Sequence, residues 1–260
     1  MSPSRNTSGP LTARSVLASV LLGTDPPWLP TALLVRTAAL FGITEGTTRT
    51  ALSRMVSAGE TVAESGGYRL VGRLVVRQAR QSASRRAETR AWDGTWELAT
   101  VEGEQRRSAA DRAALREALR ARRLAELREG VWGRPDNLDP GRSPDAKTIV
   151  EEWCTRWTGA RAEPVPDLEG HFRLSEWSAE AAQLRRDIGR WLPRLEAGDA
   201  GALATGFVTS AAVLRHLQAD PLLPDALLPK GWPGAALRAE YERYDVAYRQ
   251  LLQTWFRAER

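Results

Sequence analysis

Cysteine, lysine, histidine and methionine are all scarce in this 260-residue chain. The one cysteine, Cys154, excludes a disulfide framework and a thiolate metal cluster. His171 and His216 lie far apart and give neither metal-ligand spacing nor a triad signature, although a Cys–His nucleophile pair stays open on sequence alone. No GxGxxG, P-loop or HExxH stretch occurs. No apolar run reaches the roughly 18–20 residues that span a bilayer. The run SVLASVLLG is too short and lacks a following small-residue cleavage site, so it reads as a buried helix. Lys147 and Lys230 are the only lysines, which with abundant alanine suggests GC-rich coding, so arginine in place of lysine carries little meaning. These absences lead us to expect a cytoplasmic, bacterial-type protein that is not an enzyme, has no membrane partner and holds no metal or cofactor.

What the chain has is the composition of a globular protein, 42% hydrophobic and 27% charged, with an uneven charge distribution. Residues 1–90 carry 12 arginines against 5 acids, a surplus of +7, whereas the rest of the chain balances at −2. A local basic excess on a balanced chain is the footprint of a polyanion-binding module.

Residues 1–11 read as a disordered tail. Helices are expected at Thr12–Leu22, stopped by Gly23, and at Thr31–Phe41, with TDPPWLP as a loop between them because three prolines cannot continue a helix. ITEGTTRTALSRMVSAG (43–59) reads as a third helix with Thr44 as N-cap. Wound at about 100° per residue, Thr48, Ala51, Leu52, Met55 and Val56 share one face. The opposite arc holds Gly46, Thr47, Thr50, Ser53, Arg54 and Ser57, with Arg49 on its flank. Small side chains let a helix sit deep between phosphate walls, hydroxyls bond bases or phosphates, and arginine bonds guanine in bidentate fashion. ETVAESGGYRLV then alternates around Ser-Gly-Gly, as a β-hairpin does. Helix, helix, turn, helix and hairpin are the plan of a winged helix-turn-helix at 12–72, with the third helix in the major groove of double-stranded DNA. Its DNA-contacting residues are expected to be Thr47, Thr48, Arg49, Thr50 and Arg54, with Tyr68 and Arg69 on the wing; the wheel also points Thr48 toward the core.

Residues 73–90 carry six arginines and one glutamate and are expected to form a basic linker helix. A second domain, 91–166, follows in the order β-α-β-α-β. WDGTWELATVE is its first strand, Ser108–Leu124 a helix, GVWGRP a strand, Ile149–Thr155 a helix and RWTGARAEP a strand that is hard to place. That order fits a small ferredoxin-like sandwich. Residues 167–260 read as a helical domain. Trp177, Ala181, Leu184, Ile188, Trp191 and Leu195 repeat at heptad-like spacing. So do Leu203, Phe207, Ala211, Leu214 and Leu217, and then Leu237, Tyr241, Tyr244, Tyr248, Leu251 and Trp255.

FGITEGTTRTALSRMVSAG resembles the recognition segment of the PaaX-type repressors of phenylacetate catabolism. WDGTWELATVE, the Arg-rich helix and GVWGRP resemble that family's middle domain, and DPLLPDALLPKGWPG (220–234) resembles the Pro-punctuated loop before its last helix. The resemblance implies an α+β multidomain chain: an N-terminal winged helix-turn-helix, a middle ferredoxin-like (Cas2-like) domain and a C-terminal α-helical bundle. It also implies a homodimeric repressor, released from DNA by an aryl-acyl-CoA effector. Two other readings stand beside it. One is an effector-independent DNA-binding or protein-docking module. The other is a metal-dependent nuclease using Asp93, although phosphodiester cleavage normally needs clustered carboxylates and Asp93 has no evident partner.

Overall fold

The computed structural model of the protein describes residues 12–24, 26–72, 74–76, 78, 85–102 and 108–258. The tail expected at 1–11 and residues 73, 77 and 79–84 of the linker helix expected at 73–90 lie outside the described residues. The fold is α+β, with two small antiparallel sheets and many helices. Contacts group the chain into two compact units. One comprises Met1–Arg85, Leu184–Gln218 and Ala239–Arg260, and the other Arg86–Gln183 and Ala219–Arg238.

The first unit begins with α1 (Ala13–Leu22). Its N-cap Thr12 and Ser15 satisfy each other's backbone N–H groups in a capping box. Strand β1 (Trp28–Pro30) runs directly into α2 (Thr31–Ala39), and α3 (Glu45–Ser57) follows. Strands β2 (Thr61–Glu64) and β3 (Gly67–Leu70) form the expected hairpin. Ser65 and Gly66 sit at φ 48° and 76°, which gives the turn a twist that matches the strands. The sheet order is β1-β3-β2. TDPPWLP is therefore not wholly a loop. Trp28–Pro30 pairs with Gly67–Arg69, and proline is tolerated because β1 is an edge strand. Gly67 permits this pairing: a Cβ there would lie 2.3 Å from the Leu29 carbonyl oxygen.

Within the same unit, α2 meets the C-terminal helices. Phe41 packs edge-to-face on Phe207 at 5.1 Å, and the Arg36 guanidinium lies 4.7 Å from the Trp255 ring centroid. Helix α8 (Leu203–Gln218) buries Leu203, Gly206, Phe207, Thr209, Val213 and Leu217. The buried face is thus rotated from the expected seam, leaving Ala211 and Leu214 half-buried. Gly206 explains the rotation: a Cβ there would meet Tyr248 Cδ2 at 3.0 Å, so the helices approach along the glycine. On α9 (Gly234–Ala258), Tyr241, Tyr244, Tyr248 and Leu251 are buried as their spacing predicts. The Tyr244 hydroxyl donates to the Gly206 carbonyl at 3.0 Å, and Tyr241 shares a hydrogen bond with Ser210 at 2.8 Å. Burial of the Tyr244 hydroxyl pushes its pKa up to about 12.

The second unit contains β4 (Trp96–Val101), α4 (Ala109–Ala121), β5 (Ala125–Arg128), β6 (Val131–Pro135), α5 (Pro144–Trp153) and β7 (Cys154–Ala160). Sequence order is therefore β-α-β-β-α-β, and the sheet order is β5-β6-β4-β7, all antiparallel. The expected order lacked β5, whose hairpin partner β6 is reached through Glu129 and Gly130. Trp92 and Asp93 precede β4 rather than starting it, and Gly94 at φ 89° turns the chain. The core of this unit joins Ala99, Leu115, Leu119, Leu124, Trp132, Val150 and Cys154. Helices α6 (Leu168–Phe172) and α7 (Leu174–Glu196) follow. In this unit Trp177 of α7 stacks on Trp232 at 4.5 Å.

Candidate nucleic-acid interface

Helix α3 is held on one side and open on the other. Gly42 at φ 70° lets the chain turn out of α2, with Ile43 N–H donating to the Ala38 carbonyl at 3.2 Å. Thr44 then caps α3, its hydroxyl accepting from Thr47 N–H at 3.3 Å. Glu45 in the first turn complements the helix dipole. The buried face is Thr48, Leu52 and Met55, packed toward α1 and α2. Burying Leu52 and Met55 completely stabilises the module by about 1.5–3 kcal/mol each.

The open arc carries Gly46, Thr47, Arg49, Thr50, Ser53, Arg54, Val56 and Ser57, all exposed. Thr48 does not belong to it. It is fully buried, and its hydroxyl donates to the Thr44 carbonyl at 2.9 Å, so its place is the core side of the helix. Thr50 donates to the Gly46 carbonyl at 2.9 Å yet keeps hydroxyl lone pairs toward solvent. Arg49 Nε donates to Glu45 Oε1 at 2.8 Å along the helix. Among the described residues Arg54 has no acidic partner within ion-pair distance. It is the open cation of the arc.

On the hairpin, β3 is the central strand, so Tyr68 and Arg69 point to opposite faces. Tyr68 is half-buried opposite Leu29 and Ala63. Arg69 is exposed and paired with Glu64, Nε to Oε1 at 2.6 Å. The structure therefore gathers Thr47, Arg49, Thr50 and Arg54 on one surface. It sets Tyr68 and Arg69 apart from each other and withdraws Thr48.

Beneath α3 lies a group that sequence reasoning missed. Glu60 is buried at 1% exposure between α3 and β2. Arg14 of α1 embraces it, with Nε to Oε2 at 2.8 Å and a second contact from Nη2 to Oε1. That hydrogen bond to Glu60 raises the Arg14 pKa. Glu60 also joins backbone to backbone: its N–H donates to the Met55 carbonyl, and its carbonyl accepts from Val71 N–H, both at 2.9 Å. No periodicity marks Glu60 as an interior residue; only its place in the loop after α3 hints at it.

The sequence surplus of charge divides sharply. Residues 1–72 contribute 6 arginines against 4 acids, and 73–90 contribute 6 against 1. Among the latter, Arg85 is bound to Asp245 at 2.7 Å and lies 5.2 Å from the Tyr241 ring centroid. Arg90 is bound to Asp136 at 2.6 Å.

The residues of the enzymatic readings lie elsewhere. Asp93 Oδ1 accepts from the Thr95 hydroxyl at 2.6 Å and from Thr95 N–H at 3.0 Å, and these bonds hold its carboxyl below the usual range. Cys154 lies in the core of the four-stranded sheet's unit. Among the described residues no group of three His, Cys, Asp or Glu side chains could hold a metal ion, and no helix is long and apolar enough to cross a membrane.

The first unit thus holds a three-helix module with an adjoining hairpin, which presents one small, hydroxylated and cationic helix face. Two family models match the chain: PaaX-like protein over residues 12–74, and PaaX-like protein C-terminal domain over residues 172–258. A solved structure of an uncharacterised protein, Rv0674 from Mycobacterium tuberculosis, is 42% identical with a TM-score of 0.71. That match covers 94% of this chain and 98% of the other. No curated protein matches. The chain belongs to the PaaX-like family, whose members are transcriptional regulators of phenylacetate catabolism.

Proposed function

We propose that the protein is a sequence-specific DNA-binding repressor, in which residues 12–72 form a winged helix-turn-helix and α3 enters the major groove. The observation that carries this reading is the open arc of α3. Its only large side chains are Arg49, Arg54 and Val56, and the rest are glycine, threonine and serine. A helix so trimmed can approach base edges closely, with Arg54 free to bond a guanine and Thr47 and Thr50 free to bond bases or phosphates. Arg49 must first release Glu45, an exposed i,i+4 pair worth only about 0.3–0.5 kcal/mol. Arg69 likewise stands at the wing in an exposed pair that phosphate can displace.

The middle sheet, with its split β-α-β order, is the ferredoxin-like domain of the family plan. The protein acts as a homodimer, which doubles the modest contact surface of one recognition helix. Its release signal is an aryl-acyl-CoA, the effector class that the family resemblance implies. The test is fluorescence anisotropy on a labelled fragment from upstream of the protein's own gene, beside a scrambled fragment, at about 50 and 200 mM salt. The proposal requires a preference for the native fragment that survives the higher salt and is relieved by an aryl-acyl-CoA. Equal, salt-erased binding to both fragments refutes it.

A further inference from the structure

The helix-hairpin module closes a core of its own, with Leu17, Leu21, Leu34, Leu52 and Met55 fully buried. It is also gripped by the C-terminal helices of the same unit. Phe41 ends the α2 segment just before the Gly42 turn and the Thr44 cap of α3, and its N–H donates to the Ala38 carbonyl at 3.0 Å. Its ring meets Phe207 of α8 at 5.1 Å. Phe207 directly follows Gly206, where the Tyr244 hydroxyl is bonded and the Tyr248 ring is seated. The α8–α9 seam therefore abuts the turn that sets the direction of α3. Arg36 adds a second hold: its guanidinium lies 4.7 Å from the Trp255 ring centroid, and its Nη2 donates to the Trp255 carbonyl at 3.4 Å. A third hold is a strap. Gln78 Nε2 donates to the Leu22 and Thr24 carbonyls at 3.1 and 2.9 Å, at the end of α1. Further along the chain, Arg85 reaches both oxygens of Asp245 on α9, at 2.7 and 3.3 Å.

This grip differs in kind from the core of the module. Arg36, Phe41, Arg85 and Trp255 are all half-buried, so water already reaches each hold. The strap can also let go without leaving a buried charge alone. Asp245 is buried, but Arg249 of its own helix holds the same carboxylate at 2.8 Å, and the Tyr241 hydroxyl donates to it at 3.4 Å. When Arg85 leaves, the carboxylate keeps a cation and the freed guanidinium returns to water. An isolated buried pair has no such route, because its remaining charge is stranded. The open arc of α3 stays exposed while the grip is closed, so the closed arrangement leaves the DNA-facing residues accessible.

We propose that these three holds form a releasable clasp through which the C-terminal helices control the recognition helix. Closed, the clasp presets the α2–α3 turn, so α3 meets DNA already ordered and binding costs less conformational freedom. Opened by a shift of α8 against α9, it loosens that turn and lowers affinity for DNA. A ligand or partner that repacks the α8–α9 seam then acts on DNA binding without touching α3, by shifting the balance between closed and open forms. Phe207, Arg85 and Trp255 are positioning residues in this scheme. The inference rests on the reading of α3 as the DNA-binding face.

The test is the double variant Arg85→Gln with Trp255→Leu in the full chain, read in two ways. Without DNA, native-state hydrogen exchange is followed at the bonded amides of Phe41, Gly42 and Ile43. These are expected to exchange about tenfold faster or more, with β4 and β6 unchanged. With DNA, anisotropy on the native upstream fragment is expected to show binding roughly five- to tenfold weaker. The salt slope is expected to stay that of the parent, because no phosphate contact is lost. Arg85→Gln alone leaves every apolar contact in place and is expected to move both readouts the same way by less. Unchanged exchange at the turn, or unchanged or tighter DNA binding, overturns the proposal. So does a salt slope shallower by about one, which marks Arg85 as a phosphate ligand. A parent chain with no preference for the native fragment refutes the reading of α3 instead, and exchange at the turn still upholds or overturns the clasp.

Discussion

Replacing Arg14 with alanine tests how the helix-hairpin module is held together. Glu60 is 1% exposed on its side chain, whereas Arg14 is 52% exposed. Removing one partner of a fully buried pair costs about 3–5 kcal/mol, because the other charge is left in a poor solvent. Here water reaches the Arg14 side and Glu60 keeps a further interaction, so the cost falls to about 2 kcal/mol. For a chain of this size that corresponds to a fall in Tm of roughly 4–8 °C. The loss is expected to be local, since Glu60 links the Met55 carbonyl on α3 to Val71 after the hairpin. Native-state hydrogen exchange is therefore expected to quicken at Glu60 and Val71 and to leave the four-stranded sheet unchanged. The double variant Arg14→Met with Glu60→Met, which removes both charges, is expected to regain most of the loss. An Arg14→Ala variant within about 0.5 kcal/mol of the parent, or a double variant less stable than Arg14→Ala alone, would refute the reasoning.

Three further outcomes follow from the geometry. Glu45→Gln frees Arg49 and removes the one acid of α3, so DNA affinity is expected to rise about twofold or more and the salt slope to steepen by about one phosphate contact, read by anisotropy. Gly67→Ala places a Cβ 2.3 Å from the Leu29 carbonyl oxygen and 2.8 Å from the Trp28 ring, so β1 is expected to leave the sheet, with a loss of about 3 kcal/mol or more in urea unfolding. Arg134→Ala strips donors from the Pro221 and Leu222 carbonyls and from Asn137, so the 220–222 segment is expected to become protease-sensitive, with a stability loss of about 3 kcal/mol or more.

Local signals were the readable ones. Thr44 as N-cap, Gly23 as a helix stop and Ser65-Gly66 as a hairpin turn each act within a few residues, and each stands where sequence places it. The wheel of α3 also separated its buried Leu52 and Met55 from the exposed Thr47, Thr50 and Arg54. What escaped depends on partners distant in sequence. Trp28–Pro30 is a strand only because β3 lies beside it, and prolines masked it. Strand β5 is 4 residues long and lies in the unassigned gap between the helix expected to end at Leu124 and the strand expected at GVWGRP, with no alternation long enough to mark it. Glu60 is interior only because Arg14 folds back over it, 46 residues away. Arg49 and Arg69, expected at the DNA surface, are each paired with a nearby acid, Glu45 and Glu64, which shows why spacing along one element matters as much as composition.

The most direct test of the account is the Arg54→Ala variant, measured by anisotropy on the native upstream fragment and its scrambled counterpart at about 200 mM salt. Arg54 is the exposed cation of α3 without an acidic partner among the described residues, so its loss is expected to remove about 1–3 kcal/mol of discrimination, roughly 5- to 150-fold, while the fold stays intact by circular dichroism. Unchanged preference for the native fragment in that variant would contradict the claim that this face of α3 reads DNA.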